Sequence, residues 1–150
     1  DGVKNLAVKT ILPGLNANIA AMINTMHLPF HIRFDDKFNC VIHHLGEEIN
    51  PMTLSTGERK AADFIIIIAI IKILKLRFPQ LNLLFLDELL SSVDPDGVYN
   101  ILKILSQVMK ENKINTFVIN HSVLPHEIFD KKIQIYKDNG FSKFTVESIE

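Results

Sequence analysis

The spacing of apolar positions changes several times along the chain, and each change marks an element. Over residues 3–25, Leu6, Ile11, Leu15, Ile19, Met22 and Ile23 recur at helical spacing, and Pro13-Gly14 is predicted to break or kink the segment. The runs PFHIRF and FNCVIHH then alternate with period two on either side of DDK, which predicts an antiparallel hairpin. GEEINPM follows as a turn-rich connection. From Ser55 an apolar helix is predicted to run to about Arg77, where Phe78-Pro79 stops it. Lys72, Lys75 and Arg77 keep its apolar run short of the ~20 residues that a membrane span needs. Apolar on all sides, it reads as a core helix.

The second half of the chain alternates strand and helix. LNLLFLD is a wholly apolar strand, a pattern that predicts burial on both faces. SSVDPDG is a loop, and Asp96 or Gly97 begins an amphipathic helix through Lys110, capped by Asp94 or Asp96. INTFVIN is a second buried strand leading to His121. PHEIFD reads as a short helix, and KKIQIYKDNGFSKFTVESI as a terminal hairpin turning at Asp138-Asn139-Gly140. Helix, strand, helix, strand over residues 55–120 is an α/β unit with parallel strands.

Composition narrows the class without naming a function. The chain has 150 residues, is 47% hydrophobic and carries a net charge of -1, as a globular chain does and a disordered one does not. With 16 Lys+Arg against 17 Asp+Glu there is no chain-wide basic footprint for nucleic acid, which leaves only a local patch. Cys40 is the single cysteine, so no disulfide forms within the chain, in keeping with a reducing compartment. The chain opens on Asp1 with nothing resembling a signal peptide, and the expectation is a piece of a longer polypeptide.

Three places carry candidate chemistry. Asp87 and Glu88 end the first buried strand, at the carboxyl edge of the sheet where open α/β proteins bind ligands. There Asp87 suits Mg²⁺ held through water, and Glu88 suits a base for an attacking water. Strand-end acids also occur simply as solvated or loop-capping groups. His121 emerges from the second strand towards the same crevice, where an imidazole can bond a phosphate or a water, although a strand-end histidine is commonly a loop residue. Ser55-Thr56-Gly57-Glu58 opens the core helix. Ser55 and Glu58 match a capping box, while the free N–H groups, the helix dipole and Gly57 suit an approaching phosphate. The two readings are compatible. A fourth grouping, Cys40, His43, His44 and His31, lacks the spacing typical of zinc sites, and on a strand His43 points away from Cys40 and His44.

Taken in order, Leu54–Glu58, Leu83–Glu88, Ser91–Asp94 and His121 resemble the signature motif, Walker B strand, D-loop and switch histidine of an ABC-type ATPase head. Glu58 followed by Arg59-Lys60 is similar to the SMC-like repair and recombination branch, most closely to the ATPase subunit of two-subunit DNA-end-processing exonucleases of bacteria and phages. The resemblance implies an α/β fold, the carboxyl-terminal lobe of a P-loop NTPase head, with parallel core strands, flanking helices and a terminal hairpin. Residues 1–26 would be the helix at which a coiled coil re-enters the head, and 27–150 the lobe itself. It further implies ATP and Mg²⁺ as cofactors, with catalytic Glu88 and His121 and with Asp87 on the metal. Ser55, Thr56, Gly57 and Glu58 would bind nucleotide in trans, and Ser92 and Asp94 would form the D-loop.

The implied partners are a second head, the amino-terminal lobe, a nuclease subunit and DNA, with no membrane, in the cytoplasm of a bacterium or a phage-infected cell. Thr56 departs from the family pattern by replacing the first signature glycine, and Leu89-Leu90 stand where many members carry Pro-Thr. No G-x-x-x-x-G-K-[ST] phosphate loop occurs, so ATP hydrolysis is expected only when an amino-terminal lobe supplies it. The alternatives are a head of another branch, RecF-like or transporter, and a non-catalytic interaction domain.

Overall fold

The computed structural model describes residues 9–91 and 93–149. The helix α1 spans Leu12–Thr25 and buries Leu15, Ile19, Met22 and Ile23. Pro13-Gly14 do not break the helix as expected: the turn falls earlier, at Ile11, and Pro13 sits in the first helical turn where its missing N–H costs nothing. The part of the expected arm helix over residues 1–8 lies outside the described residues.

The hairpin forms as the alternation requires, with β1 (Phe30–Phe34) antiparallel to β2 (Cys40–His44). A third strand, β3 (Glu47–Ile49), pairs with β2 where the sequence reading placed only a turn-rich connection. Its polar residues hid it. Leu45 and Gly46, both at positive φ, reverse the chain tightly enough for Glu47 to oppose His44. Asn16 ties α1 to this sheet, its side-chain amide donating to Phe34 O at 2.9 Å and its carbonyl accepting from Phe34 N–H at 2.8 Å.

The long helix α2 runs Thr56–Arg77 and places Phe64, Ile65, Ile68 and Ala69 at the centre of the core, each with no exposed surface. Its other side is less covered than the composition suggested, since Ile70, Leu74 and Leu76 are exposed among the described residues. Lys75 closes the following turn, donating from Nζ to Pro79 O at 2.8 Å and Leu81 O at 2.6 Å. No helix among the described residues is long and apolar enough to cross a membrane.

The strand β4 (Leu83–Asp87) pairs in parallel with β5 (Asn115–Ile119), and the helix α3 (Pro95–Glu111) connects them. Asp94, just before α3, is its cap, accepting from Gly97 N–H at 2.9 Å, so the helix starts slightly earlier than Asp96. Leu86 is buried, but Leu83, Phe85, Phe117 and Ile119 are exposed, and the rings of Phe85 and Phe117 stack 4.9 Å apart. The expected burial on both faces is therefore corrected. Leu84, Leu86 and Val118 pack one face of this two-stranded sheet against the core, and the other face, with Leu83, Phe85, Phe117 and Ile119, stays exposed among the described residues.

PHEIFD contains one 3₁₀ turn, His126–Ile128, in place of the short helix. The strands β6 (Lys131–Asp138) and β7 (Phe141–Ser148) form the terminal hairpin. Asn139 and Gly140, both at positive φ, make the turn that the Asn-Gly pair predicts.

Candidate functional site

The start of α2 is built from its own sequence. Ser55 N–H donates to the Glu58 carboxylate at 2.8 Å, and Glu58 N–H donates to Ser55 Oγ at 3.2 Å, completing the capping box. These contacts with Ser55, the backbone one foremost, hold the Glu58 carboxyl below the ordinary glutamate range, with His44 adding a smaller pull the same way. Ser55 and Thr56 are exposed. A Cβ built on Gly57 meets nothing within 4 Å, so nothing among the described residues demands glycine there. Arg59 folds back over this turn, with Nη2 3.5 Å from Thr56 Oγ1 and Nη1 3.5 Å from Met52 Sδ.

The carboxyl ends of β4 and β5 are built by tertiary pairing. Register sets Asp87 beside Ile119, and Glu88 N–H extends the ladder by donating to Ile119 O at 2.9 Å. Beyond this point both chains leave the sheet. Glu88 takes a left-handed backbone, φ 51°, and its Oε1 lies 2.7 Å from His121 Nε2. The two side chains are 50% and 87% exposed, respectively, so their pairing adds little to stability and both remain open to a ligand. The Asp87 carboxylate has no hydrogen-bond or ion-pair partner among the described residues, which leaves its oxygens available to a hard cation.

Of the candidates, the structure brings together Asp87, Glu88 and His121, and separately Ser55, Thr56, Gly57 and Glu58. No hydrogen bond or ion pair among the described residues joins the two groups. Asp94 sits at the start of α3, and Ser92 lies outside the described residues. Sequence reasoning missed the backbone of Glu88 and the bond from Ser91 Oγ to Glu88 O at 2.9 Å. A serine three positions after the acid is the only local signal for it.

Cys40 on β2 is exposed, and desolvation, followed by the charge of Asp63 on α2, raises its thiol. No group of three or more His, Cys, Asp or Glu side chains among the described residues could hold a metal ion.

No protein-family model matches the chain. It is 26% identical over 148 residues to Exonuclease subunit 2 of Escherichia phage RB69, covering 97% of the chain and 26% of that protein. With Probable exonuclease subunit 2 of Escherichia phage T5 it shares 28% identity over 102 residues, covering 65% of the chain and 16% of the relative. The chain thus spans about a quarter or less of the length of these relatives.

Among solved structures, a chain from work on ATP-driven dimerization and DNA-stimulated activation of SMC ATPases superposes with a TM-score of 0.76 at 18% identity, covering 97% of this chain and 89% of that one. An Smc head bound to the C-winged helix domain of ScpA gives 0.73 at 17% identity, covering 97% and 46%. The SMC head domain from Thermotoga maritima gives 0.57 at 19% identity, covering 99% and 52%. The chain has the α/β fold of the SMC ATPase head region, and its sequence is similar to the exonuclease subunit 2 proteins of these phages.

Proposed function

We propose that the chain is the carboxyl-terminal lobe of an SMC-like ATPase head, with residues 1–26 as the re-entering end of a coiled-coil arm and 27–150 as the lobe. The observation that carries this reading is the 2.7 Å contact between Glu88 and His121 where two parallel strands end, beside Asp87. Three chemically apt groups at the carboxyl edge of a parallel pair match what hydrolysis of a phosphoanhydride requires.

Glu88 orients water and takes its proton, and His121 donates to the terminal phosphate of ATP. Asp87 would hold Mg²⁺ with waters completing the shell, since among the described residues no cluster of three or more His, Cys, Asp or Glu side chains forms a cage. Bound there, the ion would neutralise charge developing on the phosphates.

Ser55, Thr56 and Gly57 would meet the nucleotide of a second head. In this division of labour Glu58 and Ser55 cap the helix within the subunit, while the free N–H groups and dipole face outward. The open space at Gly57 supports a close approach from outside, and the exposed Thr56 adds bulk where the family pattern has glycine. Asp94, with Ser92, would face the partner head and link the two sites. ATP-driven closure and release would then act, through the arm, on DNA and a nuclease subunit in DNA-end processing, in the cytoplasm of a bacterium or an infected cell.

The test is Glu88→Gln in the ATPase assembled with its phosphate-loop lobe. Phosphate release should fall by about 10²–10⁴-fold while ATP-driven head pairing persists. Unimpaired hydrolysis would refute Glu88 as the base.

A further inference from the structure

Glu88 holds a backbone conformation, φ 51°, that L side chains other than Asn and Asp seldom adopt. Three contacts keep it there. On the amide side, Glu88 N–H is tied to Ile119 O at 2.9 Å. On the carbonyl side, Glu88 O accepts from Ser91 N–H at 3.2 Å and from the Ser91 hydroxyl at 2.9 Å. The amide bonds are available whatever the side chains at 88 and 91. The hydroxyl is the one contact that depends on the identity of residue 91.

Rotation about the Glu88 backbone would swing its side chain, and the carboxylate now sits 2.7 Å from His121. We infer that Ser91 is a positioning residue for Glu88. Its hydroxyl fixes the Glu88 carbonyl, the fixed carbonyl holds the left-handed backbone, and that backbone keeps the carboxylate directed at His121. The inference rests on the proposed role of Glu88 as the base. In this role Ser91 acts through the Glu88 backbone, and its bond lies at the surface, so its loss should disturb orientation far more than folding.

The experiment compares Ser91→Ala and Ser91→Thr with the wild type in the assembled ATPase, reading kcat, KM for ATP and melting temperature. Ser91→Ala should lower kcat by about tenfold at unchanged KM and melting temperature, because a misdirected base weakens only the chemical step. Ser91→Thr, which keeps the hydroxyl, should stay within about twofold of the wild type. Unchanged kcat in Ser91→Ala overturns the inference. So does a joint fall in kcat, affinity and melting temperature, which would mark a general structural role. Glu88→Gln separates the two levels. Full turnover in that variant removes the base assignment and this inference with it, whereas an inactive Glu88→Gln beside a normal Ser91→Ala removes only the inference.

Discussion

The start of α2 and the carboxyl ends of β4 and β5 present polar groups at the edge of one apolar core, yet they are assembled in opposite ways. Ser55 and Glu58 are three residues apart and find each other as soon as one helical turn forms. Glu88 and His121 are separated by a loop, a helix and a strand, and they meet only because β4 and β5 pair in parallel and in register. The first site belongs to local chemistry. The second belongs to topology. A local site should tolerate damage elsewhere better than a topological one, and each should respond to changes that leave the other alone.

The core beneath both regions sets the limit of that contrast, because global unfolding removes both sites together. Phe64 has no exposed surface, and Phe64→Ala should cost about 3–5 kcal/mol in denaturant unfolding. Probes at Ser55 and at Glu88 should then unfold in one transition. Separate transitions would show that the two regions do not share a core.

Ser55→Ala should cost about 1 kcal/mol in thermal melts through loss of the cap. The chemical shifts of Glu88 and His121 should not change in that variant. Movement there would mean that the helix start and the strand ends are coupled.

Gly57→Ala should raise stability by roughly 0.5 kcal/mol, because alanine is the better helix former and the added methyl meets nothing among the described residues. The same variant should weaken ATP-driven pairing of heads, measured by sedimentation of the assembled ATPase. Stability that falls, or pairing that holds, would remove the case for glycine as a docking requirement.

The smallest effect is that of pH. The folded state holds the Glu58 carboxyl below its unfolded value. Its contribution is therefore fully present above the ordinary glutamate range and is lost as pH falls through the lowered folded value. Glu58→Gln should flatten that part of the acid limb in melts against pH, and an unchanged limb would count against the capping carboxylate.

Elements with a strong period or a marked turn were legible in the sequence. The β1–β2 hairpin, the start and stop of α2, the parallel strands and the Asn139-Gly140 turn all lie close to where the pattern put them. The short strand β3 was not legible. GEEI has no apolar alternation, and only the reversal at Leu45-Gly46 and the open edge of β2 make it a strand. Apolar composition also misled in one direction. The Leu and Phe residues of β4 announced a strand buried on both faces, yet Leu83 and Phe85 are exposed because only the face of Leu84 and Leu86 packs on the core among the described residues. Composition states what a residue can bury and not whether anything is there to bury it.

Local bonds follow from residue type and spacing, because neighbours in the chain have little entropy to lose in finding each other. On that basis the sequence alone determined the capping box, the limits of α2 and the choice of Asp87, Glu88 and His121 as candidates. The 2.7 Å approach of His121 to Glu88, the left-handed backbone at Glu88 and the Ser91 hydroxyl beneath it are different. Each depends on the ladder between β4 and β5, which draws together residues that no short window of sequence contains. Only the tertiary structure could decide them, because the register that aligns Asp87 with Ile119 is a property of two strands and the core beneath them.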